Sequence, residues 1–123
     1  AYKEPHDLAF PQKADTDTNF LHLAQEMLSQ EARNRGMYPC FATHDEQLID
    51  AIVQHARQHQ IDKESFEFQM LYGVRRELQQ AVRQQGYRVR VYIPFGTTWY
   101  PYFMRRLAER PANLWFFLSN FFK

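Results

Sequence analysis

Arg105 and Arg106 stand side by side near the end of this sequence, with Tyr102 three residues before the first and Glu109 three residues after the second. Adjacent residues on a helix point about 100° apart, so one partner cannot easily satisfy both guanidinium groups. The three-residue spacings put Tyr102 with Arg105, and Arg106 with Glu109, on shared helical faces. An arginine grips a planar carboxylate through two parallel hydrogen bonds. Two of them together suit a ligand that carries a carboxylate. The same spacing also describes a solvated basic helix face with an ordinary Arg–Glu pair, and spacing alone leaves both open.

His44 offers metal ligation, acid–base chemistry or a hydrogen bond. No partner stands at metal-ligand spacing, so it reads as a structural or cofactor-contacting histidine, and no metal is expected. Cys40 has no catalytic elbow around it and reads as buried packing. The sequence holds no GxGxxG, no Walker A loop, no CxxC, no HExxH and no serine nucleophile elbow. No two carboxylates are placed for glycoside chemistry.

Three short strands and several helices must position these groups. Phe20, Leu21, Leu23, Ala24, Met27 and Leu28 recur at three- and four-residue steps and predict a helix from near Asp17. The polar stretch 31–36 ends it. A strand is expected over Tyr38–Ala42. Thr43 with Glu46 has capping-box spacing, with Asp45 as rival cap, ahead of a helix that buries Leu48, Ile49, Ile52, Val53 and Ala56. A second strand covers Phe66–Leu71, with Phe66, Phe68 and Met70 alternating with Glu67 and Gln69. Gly73 opens a helix that turns Val74, Leu78, Ala81 and Val82 inward. A third strand runs Arg88–Ile93, and Pro94 ends it. Helices follow over about Thr98–Glu109 and Ala112–Phe122.

Strands alternating with helices imply parallel pairing. Three parallel strands make a poor sheet on their own. The expectation is therefore an α/β fold in which residues 1–123 supply the C-terminal half of a (β/α)8 barrel, the remaining strands preceding Ala1. The alternative is a small three-stranded α/β domain. In such barrels chemistry sits at the C-terminal ends of strands. Those ends carry Thr43-His44-Asp45, Gln69-Met70-Leu71-Tyr72-Gly73 and Tyr92-Ile93-Pro94-Phe95-Gly96.

The bulk numbers fit one domain. Fifteen Lys and Arg against fourteen Asp and Glu leave a net charge of +1, which gives no argument for nucleic acid. A single cysteine excludes an intrachain disulfide. No leader peptide and no membrane span is evident. The chain starts without Met, and Ala1-Tyr2-Lys3 reads as the middle of something longer. Aromatic residues reach 16%, eleven of them Phe, and must form a dense core or line an interface or pocket.

Three segments resemble the proline dehydrogenase family: Tyr38-Pro39-Cys40-Phe41-Ala42-Thr43-His44, Phe66-Glu67-Phe68-Gln69-Met70-Leu71-Tyr72-Gly73, and the run from Tyr92-Ile93-Pro94-Phe95-Gly96-Thr97 through Tyr102, Arg105, Arg106 and Glu109 to Asn113. The likeness covers essentially the whole chain and is strongest to the short bacterial monofunctional enzymes. It implies a distorted (β/α)8 barrel with non-covalent FAD that oxidises L-proline to Δ1-pyrroline-5-carboxylate, the electrons passing to a membrane quinone. It implies a cytoplasmic protein, peripheral on the inner face of the bacterial membrane. The aromatic tail Trp115-Phe116-Phe117 and Phe121-Phe122-Lys123 either contributes to that contact or packs against the barrel and the FAD.

Position by position, the resemblance implies that Arg105 and Arg106 bind the proline carboxylate and that Arg106 also meets the flavin. Tyr102 packs on the proline ring, Leu71 supplies an apolar wall, Tyr92 lines the substrate pocket, and Glu109 orients the arginine. Ala1 and Tyr2 match the tail of a flavin-binding strand end. Thr16, Thr43, His44, Gln69 and Met70 match positions around FAD, and Asn113, Leu114, Trp115 and Phe116 approach its adenine end. The family's active-site lysine and its acidic partner belong to strands before Ala1, so this segment alone is expected to be inactive. Two other readings are another barrel oxidoreductase or carboxylate-handling lyase, and a non-enzymatic fragment that docks through Leu114–Phe122. Substituting either arginine is expected to weaken substrate binding strongly. An Arg105→Met variant with unchanged apparent affinity for L-proline would remove the assignment.

Overall fold

The computed structural model describes residue 5, residues 7–97, and residues 100, 101 and 104. The chain divides into two units, Gln12–Ile93 and a second made of Ala1–Pro11 with Pro94–Lys123. In the second unit, Pro5 accepts the backbone N–H groups of Leu8 and Ala9, and Tyr100, Pro101 and Met104 are helical. The expected last helix lies outside the described residues.

The first unit runs α1 (Lys13–Met27), α2 (Gln30–Asn34), β1 (Cys40–Ala42), α3 (Glu46–Gln58), a 3-10 turn (Lys63–Ser65), β2 (Glu67–Leu71), α4 (Arg76–Gln84) and β3 (Arg88–Tyr92). The strands form one parallel sheet in chain order, β1-β2-β3. α3 and α4 are the two crossovers that parallel pairing requires.

Strand period two sorts the side chains into two faces. Phe41, Phe68 and Met70 join Ala24, Leu28, Ile49, Ile52, Val53, Ala56, Leu78 and Val82 in one buried core, with Val89 packed against it. Phe66 contacts Phe41 and Phe68 edge-on, with ring centroids 5.8 and 5.7 Å apart, and Tyr87 closes the cluster 5.7 Å from Phe66. Such edge-to-face pairs add roughly 0.5–1.5 kcal/mol each beyond burial. Part of the aromatic content is thus a dense core.

The helix faces match the periodic reading at α3, where Leu48, Ile49, Ile52, Val53 and Ala56 are all buried. They depart from it elsewhere. Ala81 is exposed, because α4 is short and faces the core through Leu78 and Val82 alone. Leu23 is half exposed while its neighbour Ala24 is buried. α1 begins at Lys13 rather than near Asp17. The polar stretch expected to end it forms the short α2, capped by the Ser29 hydroxyl, which accepts the Ala32 N–H. α4 begins at Arg76 instead of Gly73, after a left-handed Arg75 (φ 50°).

Each helix that leads into a strand ends in one left-handed residue followed by a reversed hydrogen bond. Gly36 and Gly86 take this place before β1 and β3, with Met37 N–H bonded to Ala32 and Tyr87 N–H to Val82. Before β2 the place is held by Gln60 (φ 53°), with Ile61 N–H donating to Ala56 at 2.8 Å. A side chain in that conformation costs about 1 kcal/mol, so the third junction makes its turn without the usual glycine.

Asp45 is the cap of α3. Its Oδ1 accepts the Gln47 N–H at 3.1 Å, and its Oδ2 meets Lys13 Nζ at 2.8 Å. Thr43 Oγ1 accepts the Asp45 N–H at 3.0 Å instead of capping the helix, and Glu46 turns to Arg75. Asp45→Ala is expected to cost about 1 kcal/mol of unfolding free energy. Asp45→Asn, which keeps a capping oxygen and loses only an exposed ion pair, is expected to cost a few tenths. Denaturant unfolding of both variants checks the order.

Candidate functional site

The face of the sheet turned away from the helices carries the other half of each strand. Register sets its rows: Cys40, Glu67 and Arg88; Ala42, Gln69 and Arg90; then Leu71 with Tyr92. Tyr92 is 53% exposed on this face. Its last row lies at the C-terminal ends of the strands.

Glu67 anchors the face. Its carboxylate is 5% exposed and accepts a two-pronged bond from Arg90, Nε to Oε1 at 2.6 Å and Nη2 to Oε2 at 2.9 Å. Gln69 Nε2 donates to Oε1 at 2.8 Å, and Cys40 Sγ lies 3.7 Å away. The Arg90 hydrogen bonds, and then that of Gln69, hold the Glu67 carboxyl down to about 2 from an ordinary 4.5. With one amide N–H committed to Glu67, the Gln69 side chain cannot flip, and its Oε1 is an acceptor of fixed sense.

Cys40 is exposed here, which corrects the expectation of buried packing. Phe41, its neighbour, takes the core position. Partial desolvation and the adjacent Glu67 charge push the Cys40 thiol up, so it is no thiolate nucleophile at neutral pH.

At the strand ends, His44 Nε2 accepts the Leu71 N–H at 2.9 Å. Gln79 Nε2 donates to the Leu71 carbonyl at 3.1 Å and to that of Val74 at 2.8 Å. Arg75 joins Glu46 at 2.6 Å and reaches the His44 carbonyl at 3.4 Å. Tyr72 N–H donates to the Tyr92 carbonyl at 2.9 Å. His44, Leu71, Tyr92 and, one row down, Gln69 are therefore gathered at one end of one face, with Thr43 in the turn beside them.

Two expected residues are not gathered there by their side chains. Met70 is 2% exposed in the helix-side core, on the opposite face from Gln69 and Leu71, as strand alternation demands. Thr16 is exposed near the start of α1, its hydroxyl donating to the Gln12 carbonyl; α1 reaches the strand ends through Lys13 and Asp45. Ala1, Tyr2, Tyr102, Arg105, Arg106, Glu109, Asn113, Leu114, Trp115 and Phe116 lie outside the described residues. Arg90 and Gln79 were missed. The polar alternation of Glu67 and Gln69 signalled that a partner was needed, but nothing local named it.

Among the described residues no three His, Cys, Asp or Glu side chains converge as metal ligands, and no helix is long and apolar enough to cross a membrane.

A family model described as proline dehydrogenase matches residues 3–118. The chain belongs to the proline dehydrogenase family. It is 47% identical over 123 residues to the proline dehydrogenase of Deinococcus radiodurans, covering all of this chain and 38% of the relative. It is 48% identical over 123 residues to proline dehydrogenase 1 of Bacillus subtilis, covering all of this chain and 39% of that protein. The bifunctional protein PutA of Escherichia coli is 34% identical over 112 residues, 85% of this chain and 8% of that one. Among solved structures, the chain is similar to proline utilization A from Bdellovibrio bacteriovorus inactivated by N-propargylglycine, with a TM-score of 0.65 and 33% identity. That likeness covers 72% of this chain and 9% of the other. The chain thus spans under two-fifths of the length of the curated proline dehydrogenases it matches.

Glu67 provides a test of the open face. A carboxyl lowered by its folded partners stabilises fully above its unfolded value near 4.5 and loses that contribution as pH falls through about 2. Glu67→Gln is expected to lower stability by about 1–3 kcal/mol at neutral pH. The gap to the native protein should close between about pH 4.5 and about 2. Unfolding midpoints measured across that window check both the size and the direction.

Proposed function

We propose that this chain is the C-terminal half of a distorted (β/α)8 barrel that catalyses FAD-dependent oxidation of L-proline to Δ1-pyrroline-5-carboxylate, the first step of proline catabolism. The family match over residues 3–118 carries the reading. Sequential parallel strands in chain order, with the core on one side of the sheet, support the barrel.

The residues present suit a flavin and a small ring-shaped amino acid. Leu71 offers an apolar wall and Tyr92 an aromatic face with a hydroxyl. Gln69 offers a fixed acceptor and His44 a nitrogen heterocycle, all at the C-terminal end of the sheet. Bound FAD would supply the hydride acceptor at its N5, with a membrane quinone as the final electron sink. Arg105 and Arg106 would hold the proline carboxylate, and Arg106 with Glu109 would also face the flavin. Tyr102 and Leu71 would shape the pocket around the ring and exclude water. Thr16, Thr43, Asn113, Trp115 and Phe116, with Ala1, Tyr2 and the Met70 backbone, would complete the cofactor contacts. No residue is asked to be a nucleophile; the protein's part is to anchor the charged end and orient the reacting carbon. The lysine and acidic groups of the family's site would come from the N-terminal half, and peripheral membrane contact would follow from quinone use.

The visible spectrum of the intact protein, recorded anaerobically before and after L-proline, tests this. Flavin absorbance that bleaches on addition is the expected result, with residues 1–123 alone giving no turnover. Bound flavin that stays oxidised with proline would sink the substrate assignment and favour another barrel oxidoreductase.

A further inference from the structure

β1 stops at Ala42, opposite Gln69, whereas β2 continues to Leu71. The β2 amides that face β1 recur every second residue, and Glu67 N–H, bonded to the Pro39 carbonyl at 3.0 Å, fixes which ones they are. The next in that series beyond Gln69 is Leu71, whose N–H points to where β1 has already ended. The regular ladder would bring the Thr43 carbonyl to it. His44 Nε2 is there instead, at 2.9 Å.

A backbone N–H can only donate, so Nε2 must present its lone pair. The neutral ring then carries its proton on Nδ1, and the imidazolium form, which has no lone pair, cannot make this bond. Leu71 is held on its other side by Gln79, at its carbonyl, and Tyr72 ties the same strand end to Tyr92. The turn that carries His44 is itself braced by Thr43 on the Asp45 N–H and by Arg75 on the His44 carbonyl. Among the described residues, the charged groups beside this turn include Lys13, bridged to both Asp17 and Asp45, and Arg75, bridged to Glu46.

We propose that His44 is a positioning residue: as the neutral Nδ1–H tautomer it replaces the missing rung between β1 and β2 and sets the place of the Leu71 side chain in the substrate pocket. The proposal rests on the proline dehydrogenase reading for its consequence, though not for its geometry. It separates His44 from acid–base work, since a proton taken at Nε2 would break the rung. It also explains why a histidine, with a ring nitrogen two bonds beyond Cγ, stands where a backbone carbonyl would otherwise suffice.

Two measurements on the intact, FAD-saturated protein decide it. Nitrogen-15 spectra of the imidazole, assigned with His44→Gln, should show a protonated Nδ1 and a bare Nε2 at neutral pH. A proton on Nε2, or a charged ring, overturns the proposal. In steady-state kinetics, Gln reaches the Nε2 position with a carbonyl oxygen, whereas Asn reaches only the Nδ1 position. His44→Asn should raise KM for L-proline about tenfold with kcat within about twofold, and His44→Gln should recover most of that loss. KM values for both variants equal to the native one overturn the positioning role. If the native protein gives no proline response, the functional reading fails separately, and the tautomer still decides the rung.

Discussion

A carboxylate that leaves water on a β-strand must be met by donors, or the strand shifts until it is wet again. Glu67 is met by three side chains, from all three strands: Cys40 on β1, Gln69 on β2 and Arg90 on β3. The Arg90 fork is the strongest of these, because both of its bonds are short and charge-assisted. It spans neighbouring strands diagonally, from the first row to the second, so a slip of one residue would break it and invert both faces. The rows above depend on that register. Leu71 faces Tyr92, and Gln69 faces Arg90, only while Glu67 is paired with Arg88 across the ladder.

The strand ends pose a second accounting problem, and the chain solves it with side chains. Parallel strands that stop at different heights leave backbone groups with no neighbour, and such groups need partners when half buried. Leu71 receives one partner from the exit of β1 and another from α4. Polar residues clustered after a strand therefore answer to the backbone before they answer to any ligand. This explains why the segment 43–46 is so dense in hydrogen-bonding residues: Thr43 braces the turn, His44 closes the rung, Asp45 starts the helix and Glu46 holds Arg75. The surface left open at these strand ends consists of what these bonds leave over.

Local features of this unit were readable because they are local. The buried stripe of α3, the polar–apolar alternation of β2 and the glycine stops at 36 and 86 each rest on residues a few positions apart. Some of the features that departed from expectation were settled at long range. Thr43 and Asp45 both had capping chemistry, and the choice went to Asp45, which Lys13 also meets from α1, 32 residues away. The helix after Gly73 starts late, at Arg76, following a left-handed Arg75 whose side chain reaches back to Glu46, 29 residues away. Cys40 was expected inside because cysteines usually are, yet its parity along β1 gave the core position to Phe41. Met70 resembles a family position around the cofactor, and parity turns its side chain into the helix-side core. The bond between His44 and Leu71 joins residues 27 apart and has no sequence signature; it follows only from where β1 ends.

Parity also bears on how a barrel reading would work chemically. One face of the sheet is committed to aromatic and aliphatic packing, so whatever these three strands offer to a ligand must come from the alternate residues and from the turns just past them. On three strands that leaves few positions, and the lower ones are occupied by the Glu67 network. A site built from the remainder can offer shape, one or two fixed acceptors and an aromatic face, but little in the way of strong acids or bases. Such a surface suits chemistry that a bound cofactor carries out, in which the protein orients reactants and keeps water away. Among the described residues of this face, the Cys40 thiol is pushed toward the neutral form and the Glu67 carboxylate is fully engaged, so neither is placed to act as a nucleophile.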